Sequence, residues 1–392
     1  MPERLDSLVY EFGENRVNEA MDRVARLPIE VPSWGFGRGG TRFAVYRAGD
    51  EPTSVEERIA AAGRFHSLTG KGATIALHFP WDGNSKADVR ALRKSLKGAG
   101  ITAGSVNANL FTPREKGPLD ATLRFGSLTH PDEKIRRASV KYCLDCIDYM
   151  DILGSDTLVL WLPDGTNSPG QMSMYDQADR LEGTLREINA SLDGRKLLIE
   201  YKLFEPGFYS TAIQDYGRSL YLAWLLGDNA KVLVDLGHHA HGVNVEQIIA
   251  QLVRQGKLGG FHFNDSWYAD DDLATGSLHP HQIFRIFVNL IEGELRGYTP
   301  VEDLALMIDQ SHNVKDPFEE LLESVENIEI AYARALMVDF DRLKEAQDRL
   351  DVSSADRILT DAFNADVRPI VREARRRNGR SENPLEASRE AR

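Results

Sequence analysis

KVLVDLGHHAHGVNVEQIIAQLVRQGKLGGFHFND, residues 231–265, holds the pattern that decides the fold. It begins with an apolar run, KVLVDL, and ends with another, LGGFHFND. Between them NVEQIIAQLVRQGKL places its apolar residues at helical spacing. A strand that is apolar almost throughout is covered on both faces, as in a parallel sheet whose crossovers are helices. The unit therefore reads as strand, helix, strand.

The same unit recurs along the 392-residue chain. Eight β-rich runs stand out, at 28–34, 74–81, 101–109, 156–162, 196–202, 231–236, 258–265 and 304–310. Helix-length segments separate them, and glycine often closes these. Eight alternations predict a (β/α)8 TIM barrel over residues 1–316. A doubly wound open sheet is the alternative, but no GxGxxG or GxxxxGK[ST] follows any strand. Residues 317–350 read as one long helix, followed by a polar tail, so 317–392 is expected to be a C-terminal helical extension. From Arg368 onward the tail carries eight Arg and four Glu, and it reads as exposed or partly disordered, or docked on an acidic neighbouring subunit.

Composition narrows the function. The net charge of −13 disfavours nucleic acid, whose phosphates need clustered Lys and Arg. No apolar run approaches the ~18 residues that a membrane span needs. The start, MPERLDSLVYEFGEN, has no apolar h-region. With only Cys143 and Cys146, a cytoplasmic protein is expected. That CxxC pair shares a helical stripe with Val140, Ile147 and Met150, so it reads as core rather than as a redox or zinc motif.

Chemistry in such a barrel collects at the C-terminal ends of the strands. There the runs end in Trp34; His78 and Trp81; Asn107 and Asn109; Trp161 and Asp164; Glu200 and Lys202; Asp235 and His238; His262 with Asp270, Asp271 and Asp272; and Asp309. Taken singly, each has a plain explanation: a hydrogen-bonded histidine, a helix-capping aspartate, a solvated turn, a core tryptophan. The register changes this. Strands five to eight end in turn with Glu200, Asp235, His262 and Asp309. Converging carboxylates repel, at about 1 kcal/mol for two charges ~4 Å apart in water and several times that when partly buried. A divalent cation relieves this. His238 with Asp270 and Asp272 forms a second such group. Histidine with several carboxylates suits Mn²⁺, with Co²⁺, Fe²⁺ and Zn²⁺ as alternatives. Alternation along the strand turns Asp265 away from His262, toward a loop or helix N-terminus. His239 and His241 stay open between support and surface. The tryptophans offer faces for the C–H side of a sugar, and His78 and Lys202 offer titratable groups.

Longer motifs then carry a resemblance. VPSWGFGRGGTRF (31–43), LHFPWD (77–82), WLPDGTNSPGQ (161–171), VDLGHHAHG (234–242), LGGFHFNDSWYADDDL (258–273) and MIDQSHN (307–313) resemble the L-rhamnose isomerases of the Pseudomonas stutzeri type. Those enzymes sit within the xylose-isomerase-like TIM-barrel superfamily. The resemblance spans about Val31 to Leu336. It implies a homotetramer and two divalent cations per subunit, typically Mn²⁺. One cation would be held by Glu200, Asp235, His262 and Asp309, the other by His238, Asp270 and Asp272. It implies a sugar pocket of His78, Trp81, Trp161, Trp34 and Ser311, with Phe43 reaching into a neighbouring subunit's site. The implied reaction converts L-rhamnose to L-rhamnulose with tolerance for other aldoses. Hydride passes from C2 to C1, with Lys202 and Asp309 assisting, or else Glu200 acts as base in an enediol route. A ketose 3-epimerase, another aldose isomerase, a metal-dependent phosphodiesterase and a non-catalytic sugar-binding barrel are the competing expectations.

Overall fold

The structure, a computed structural model, describes residues 2–37, 51–111, 123–205, 211–268, 270–312 and 314–391. Its eight parallel strands close on themselves in chain order: β1 Ile29–Pro32, β2 Thr74–Phe79, β3 Thr102–Ala108, β4 Thr157–Leu160, β5 Lys196–Glu200, β6 Ala230–Asp235, β7 Leu258–Phe263 and β8 Ala305–Ile308. Seven lie inside runs expected to be strands, and β6 starts one residue before its run. The closed order excludes the open sheet.

Why the strand ends carry chemistry follows from the two-residue alternation of side chains. Val159, Leu198, Leu233 and Met307, from β4, β5, β6 and β8, form a separate apolar layer inside the barrel. Two residues further along the same strands come Trp161, Glu200, Asp235 and Asp309. The apolar layer is thus a floor, and the next inward-facing layer is the mouth. Pairing keeps the layers level, with Asp235 beside His262 and His78 beside Asn107. The floor continues across β1 and β3, where the buried Glu30 carboxylate accepts from the amide and hydroxyl of Ser105 at 3.1 and 2.6 Å.

Outside the barrel, helices cover the strands and bury one large core. Ser54 and Glu57 form a capping box at the start of the helix Val55–Thr69, and Gly70 ends it in the left-handed conformation. Cys143 and Cys146 are both buried in the helix Glu133–Leu153, and burial pushes the Cys143 thiol well up. They are core residues, as the stripe suggested.

Two expectations about the C-terminal part are corrected. The single helix over 317–350 is two, Pro317–Leu336 and Phe340–Asp348. Asp339 starts the second by accepting from the Arg342 amide, so a cap interrupts an otherwise continuous apolar pattern. The tail after Arg368 is ordered as the helices Arg368–Arg377 and Pro384–Glu390. Ile370, Val371 and Ala374 are buried, and Arg375 pairs with the buried Glu329. The tail docks within its own chain, against the N-terminal helix Glu14–Arg26 and the helix Pro317–Leu336. Lys71 completes the cluster by donating to the carbonyls of Val24, Ala25 and Leu27 at 2.5, 3.1 and 3.0 Å, 3.6 Å from Glu329. Among the described residues no helix is long and apolar enough to cross a membrane.

Candidate active site

The barrel mouth has two unlike halves. β5 to β8 supply titratable groups. His262 Nδ1 lies 3.1 Å from Glu200 Oε1, 3.6 Å from Asp309 Oδ2 and 3.7 Å from Asp235 Oδ2. One ligand atom from each of these four residues falls within 4.8 Å of the others. A second group of the same compactness is Asp235, His238 and Asp270. There His238 Nε2 is 3.3 Å from Asp270 Oδ1 and 3.8 Å from Asp235 Oδ1. Asp235 belongs to both groups and stands between them. Asp272 lies beside the second group with backbone φ of 51°, and Ser311 donates to its carboxylate at 3.3 Å.

The turn after β6 is built for close approach. Gly237 N donates to Asp235 Oδ1 at 2.8 Å. A Cβ on Gly237 would meet Asn264 Oδ1 at 3.1 Å, with Asp235 and Asp270 Oδ1 atoms at 3.4 Å. Asn264, two residues past His262 and so on the same face, donates to both oxygens of Asp235 at 3.0 and 3.1 Å. Asp265 faces the other way, accepting from the amides of Leu278 and His279 at 2.8 Å each, just before the helix Pro280–Leu295. Asp271 caps its own loop by accepting from the amides of Trp267 and Tyr268.

Proton balance describes what this half lacks. Burial pushes Asp309 up to about 7 and Asp235 up to about 6, with neighbouring carboxylates adding to both. Burial works to lower His262, yet Glu200, Asp309 and Asp235 override it and raise the imidazole to about 10. His238 rises to about 9 against the same burial, through Asp235 and Asp270. Asp270, which burial would raise, is held well below the usual carboxylate range by His238 and Lys202. Asp272 is pushed well above it by burial and by Asp270. The cluster thus gathers positive charge on its imidazoles to offset its carboxylates. A divalent ion at the centre of each oxygen-and-imidazole set would do the same, and the donor chemistry fits Mn²⁺, Co²⁺ or Zn²⁺.

β1 to β4 supply the other half, a chain of rings. Trp34, in the turn Trp34–Phe36 just past β1, meets His78 and Trp81 edge-on at 6.3 and 6.4 Å. His78 stacks on Trp81 at 5.8 Å. Phe111 bridges Trp81 at 5.9 Å to Trp161 at 4.7 Å. Lys202 Nζ sits 5.0 Å over the Trp161 ring and 2.5 Å from Asp270 Oδ2, and it also pairs with Glu205. Lys202 thereby joins the two halves. Polar atoms interrupt the apolar wall: His78 Nδ1, Asn109 Nδ2 and Trp161 Nε1 are buried with no hydrogen-bond partner among the described residues. Burial keeps His78 neutral, down to about 3. With its open end, the mouth takes in about 550 Å³.

The aromatic wall is held from behind. Asp82 accepts from the His78 amide at 2.8 Å and from the Ser33 hydroxyl at 2.5 Å. Arg58 donates to Asp82 at 3.1 Å and to the Trp81 carbonyl at 3.3 Å.

The chain matches the family model described as "Xylose isomerase-like TIM barrel" over residues 60–324. It belongs to the xylose isomerase-like TIM-barrel family. Two bacterial relatives in this sequence range are probable sugar isomerases, one from Mesorhizobium japonicum and one from Rhizobium meliloti. The first is 41% identical over 370 residues, covering 94% of this chain and 85% of that protein. The second is 41% identical over 400 residues, covering 98% and 91%. Solved structures of similar fold include a D-psicose 3-epimerase, with TM-score 0.52, 15% identity and coverage of 78% of this chain and 97% of that one. An L-ribulose 3-epimerase gives TM-score 0.51 at 18% identity, covering 83% and 98%. At those identities the likeness concerns the fold.

Within this xylose isomerase-like barrel, most of the side chains singled out in the sequence share one mouth: Trp34, His78, Trp81, Trp161, Glu200, Lys202, His238, His262, Asp270, Asp272 and Asp309 line it, with Asp235 beneath. Ser311 stands behind Asp272, and Trp267 is exposed at the rim, edge-on to His279. Phe43 lies outside the described residues. Alternation puts Asn264 on the face of His262, but Phe111, Glu205 and the Arg58–Asp82 pair went unnoticed in the sequence. Phe111 had a usable signal, lying just past β3; the others become visible only through their partners.

Proposed function

We propose that the chain is a divalent-cation-dependent aldose–ketose isomerase, with L-rhamnose to L-rhamnulose as its reaction and other aldoses tolerated. The observation that carries this reading is the division of one mouth into two adjoining carboxylate–imidazole groups facing an aromatic wall whose buried polar atoms have no partner among the described residues. The first suits two cations, and the second suits the C–H faces and hydroxyls of a sugar. The probable sugar isomerases at 41% identity support the same class.

A cation bound there supplies a Lewis acid for the sugar's vicinal oxygens. The protein does the rest. The rings of Trp34, Trp81, Phe111 and Trp161 orient the carbon chain and exclude water from one side. Isomerisation removes the O2 proton, moves the C2 hydrogen to C1 with its electron pair, and returns a proton to O1. Asp309, at the end of β8 and lining the mouth, is the carboxylate placed to hold that proton in transit. The Lys202 ammonium offsets negative charge developing on the sugar oxygens. Epimerisation at C3 instead needs proton-transfer groups on both faces of the carbon. Here the carboxylates come from the ends of β5 to β8 and the loop after β7, and the wall from β1 to β4 is mainly aromatic.

Product analysis tests the reading. Cation-loaded enzyme with L-rhamnose should yield the 2-ketose, and with ketohexoses no C3 epimer. Solvent deuterium should stay out of product C1 in D₂O; extensive incorporation would replace the hydride route with an enediol and Glu200 as base. The reading also includes a homotetramer in which Phe43 of one copy reaches the next copy's mouth, and sedimentation velocity of wild type and Phe43→Ala tests that.

A further inference from the structure

Tyr201 stands between two residues of the site, Glu200 and Lys202, but alternation turns its side chain out of the mouth. The ring is nonetheless buried, at 1% exposure, and ends in a short bond to His239: Oη to Nε2 is 2.6 Å, with the rings edge-on at 5.4 Å. His239 Nδ1 faces the Leu236 carbonyl at 3.3 Å. A carbonyl only accepts, so Nδ1 carries the hydrogen, and Nε2 accepts from the Tyr201 hydroxyl. The backbone of the same tyrosine holds the neighbouring histidine. His238 Nδ1 lies 2.9 Å from the Tyr201 carbonyl oxygen. By the same reasoning Nδ1 donates there, which leaves Nε2 to face Asp270 and Asp235 at 3.3 and 3.8 Å. The residue just past β5 thus grips two consecutive residues of the turn after β6, one through its carbonyl and one through its hydroxyl.

We infer that the Tyr201–His239 hydrogen bond is a positioning clasp, which fixes the turn so that His238 presents Nε2 to a cation shared with Asp270. Besides the clasp and the Tyr201 carbonyl, the Gly237 and His238 amides tie the start of the turn to Asp235. Gly237 precedes His238, and the residues from Ala240 to Asn244 are exposed. The Tyr201 carbonyl fixes the imidazole's tautomer, and the clasp fixes its distance from Asp270. Partners of this outer kind commonly set metal affinity by about 10–100-fold. His239, left open by the sequence, is thereby a positioning residue that does not touch the ion.

The inference rests on the two-cation reading, and the test separates the two. Calorimetric titration of cation-free wild type with Mn²⁺ should give two sites; fewer than two defeats the reading of the mouth itself and the clasp with it. Tyr201→Phe keeps the ring and the carbonyl and removes the hydroxyl. It should leave the first site as in wild type and weaken the second by about 10-fold or more. With Co²⁺ the visible absorption should change only for the second equivalent. His239→Leu should match it, the double variant should add little, and His239→Gln, which keeps an acceptor, should recover most of the affinity. Two wild-type-like sites in Tyr201→Phe and His239→Leu would overturn the clasp even if the melting temperature of the cation-free protein falls, since that loss alone marks a packing role. Should Tyr201→Phe fail to fold, the His239 pair of variants decides on the same criterion.

Discussion

Lys202 Nζ lies 2.5 Å from Asp270 Oδ2. This one ion pair links the end of β5 to the loop after β7, and it brings the ammonium to the boundary between the aromatic wall and the carboxylate groups. Replacing Lys202 with Met should lower kcat by about 100-fold or more, because an ammonium facing developing oxyanion charge acts mainly in the transition state. KM should move far less. The same variant removes a positive charge from beside Asp270, so its second Mn²⁺ should bind at least as tightly as in wild type. Steady-state kinetics and Mn²⁺ titration check the two halves of this prediction.

Asp82 predicts the opposite separation. Its carboxylate holds the His78 amide, the Ser33 hydroxyl and Arg58, all behind the aromatic wall. Asp82→Asn leaves the partly buried Arg58 without its counter-charge, at a cost of about 3 kcal/mol in urea unfolding. The loosened Trp81 and His78 should raise KM for the sugar about tenfold or more, while both cation sites keep their affinity.

Gly237 is reserved by its neighbours. A methyl at this position would press on Asn264, Asp235 and Asp270 within 3.1–3.4 Å. Gly237→Ala should weaken Mn²⁺ binding while leaving the barrel folded, with circular dichroism unchanged and the loss seen in the titration. Unchanged binding at both sites would show that the turn yields to the methyl.

His78 sets a pH dependence. Its folded-state pKa is depressed to about 3, first by burial and then by His262, whereas an unfolded histidine titrates near 6.5. The stabilising contribution of the neutral ring is therefore complete above pH ~6.5 and is lost as pH falls toward 3. At pH 5 the loss is about 2 kcal/mol. His78→Gln does not titrate. Urea unfolding in EDTA at pH 8 and pH 5 should show wild type losing more stability than the variant by about that amount.

Arg375 tests the ordered tail. It is 4% exposed and paired with Glu329 under the helix Pro317–Leu336. Arg375→Ala leaves that carboxylate with Lys71 at 3.6 Å as its remaining cation among the described residues, and should cost about 3 kcal/mol in chemical unfolding. A loss below the scatter of the measurement would return the tail to the exposed segment that its composition suggests.

The limits of the sequence are visible in these same residues. Apolar runs covered on both faces, broken at one end by Glu200, Asp235, His262 and Asp309, were legible because a strand repeats every two residues and a barrel gathers its strand ends. The period also turned Asp265 away from His262, and the structure places it under the next helix. What lay beyond reach depends on contacts between distant segments. Nothing local distinguishes Arg375 from its exposed neighbours Arg376 and Arg377; only Glu329, 46 residues earlier, gives it a buried partner. Asp235 looks like a member of one group until closure of the barrel sets His262 on one side of it and His238 on the other. Asn264, Phe111 and the Arg58–Asp82 pair become meaningful in the same way. Periodicity is a property of a segment and can be read from it. A hydrogen bond or an ion pair between elements depends on packing, and only the tertiary structure decides it.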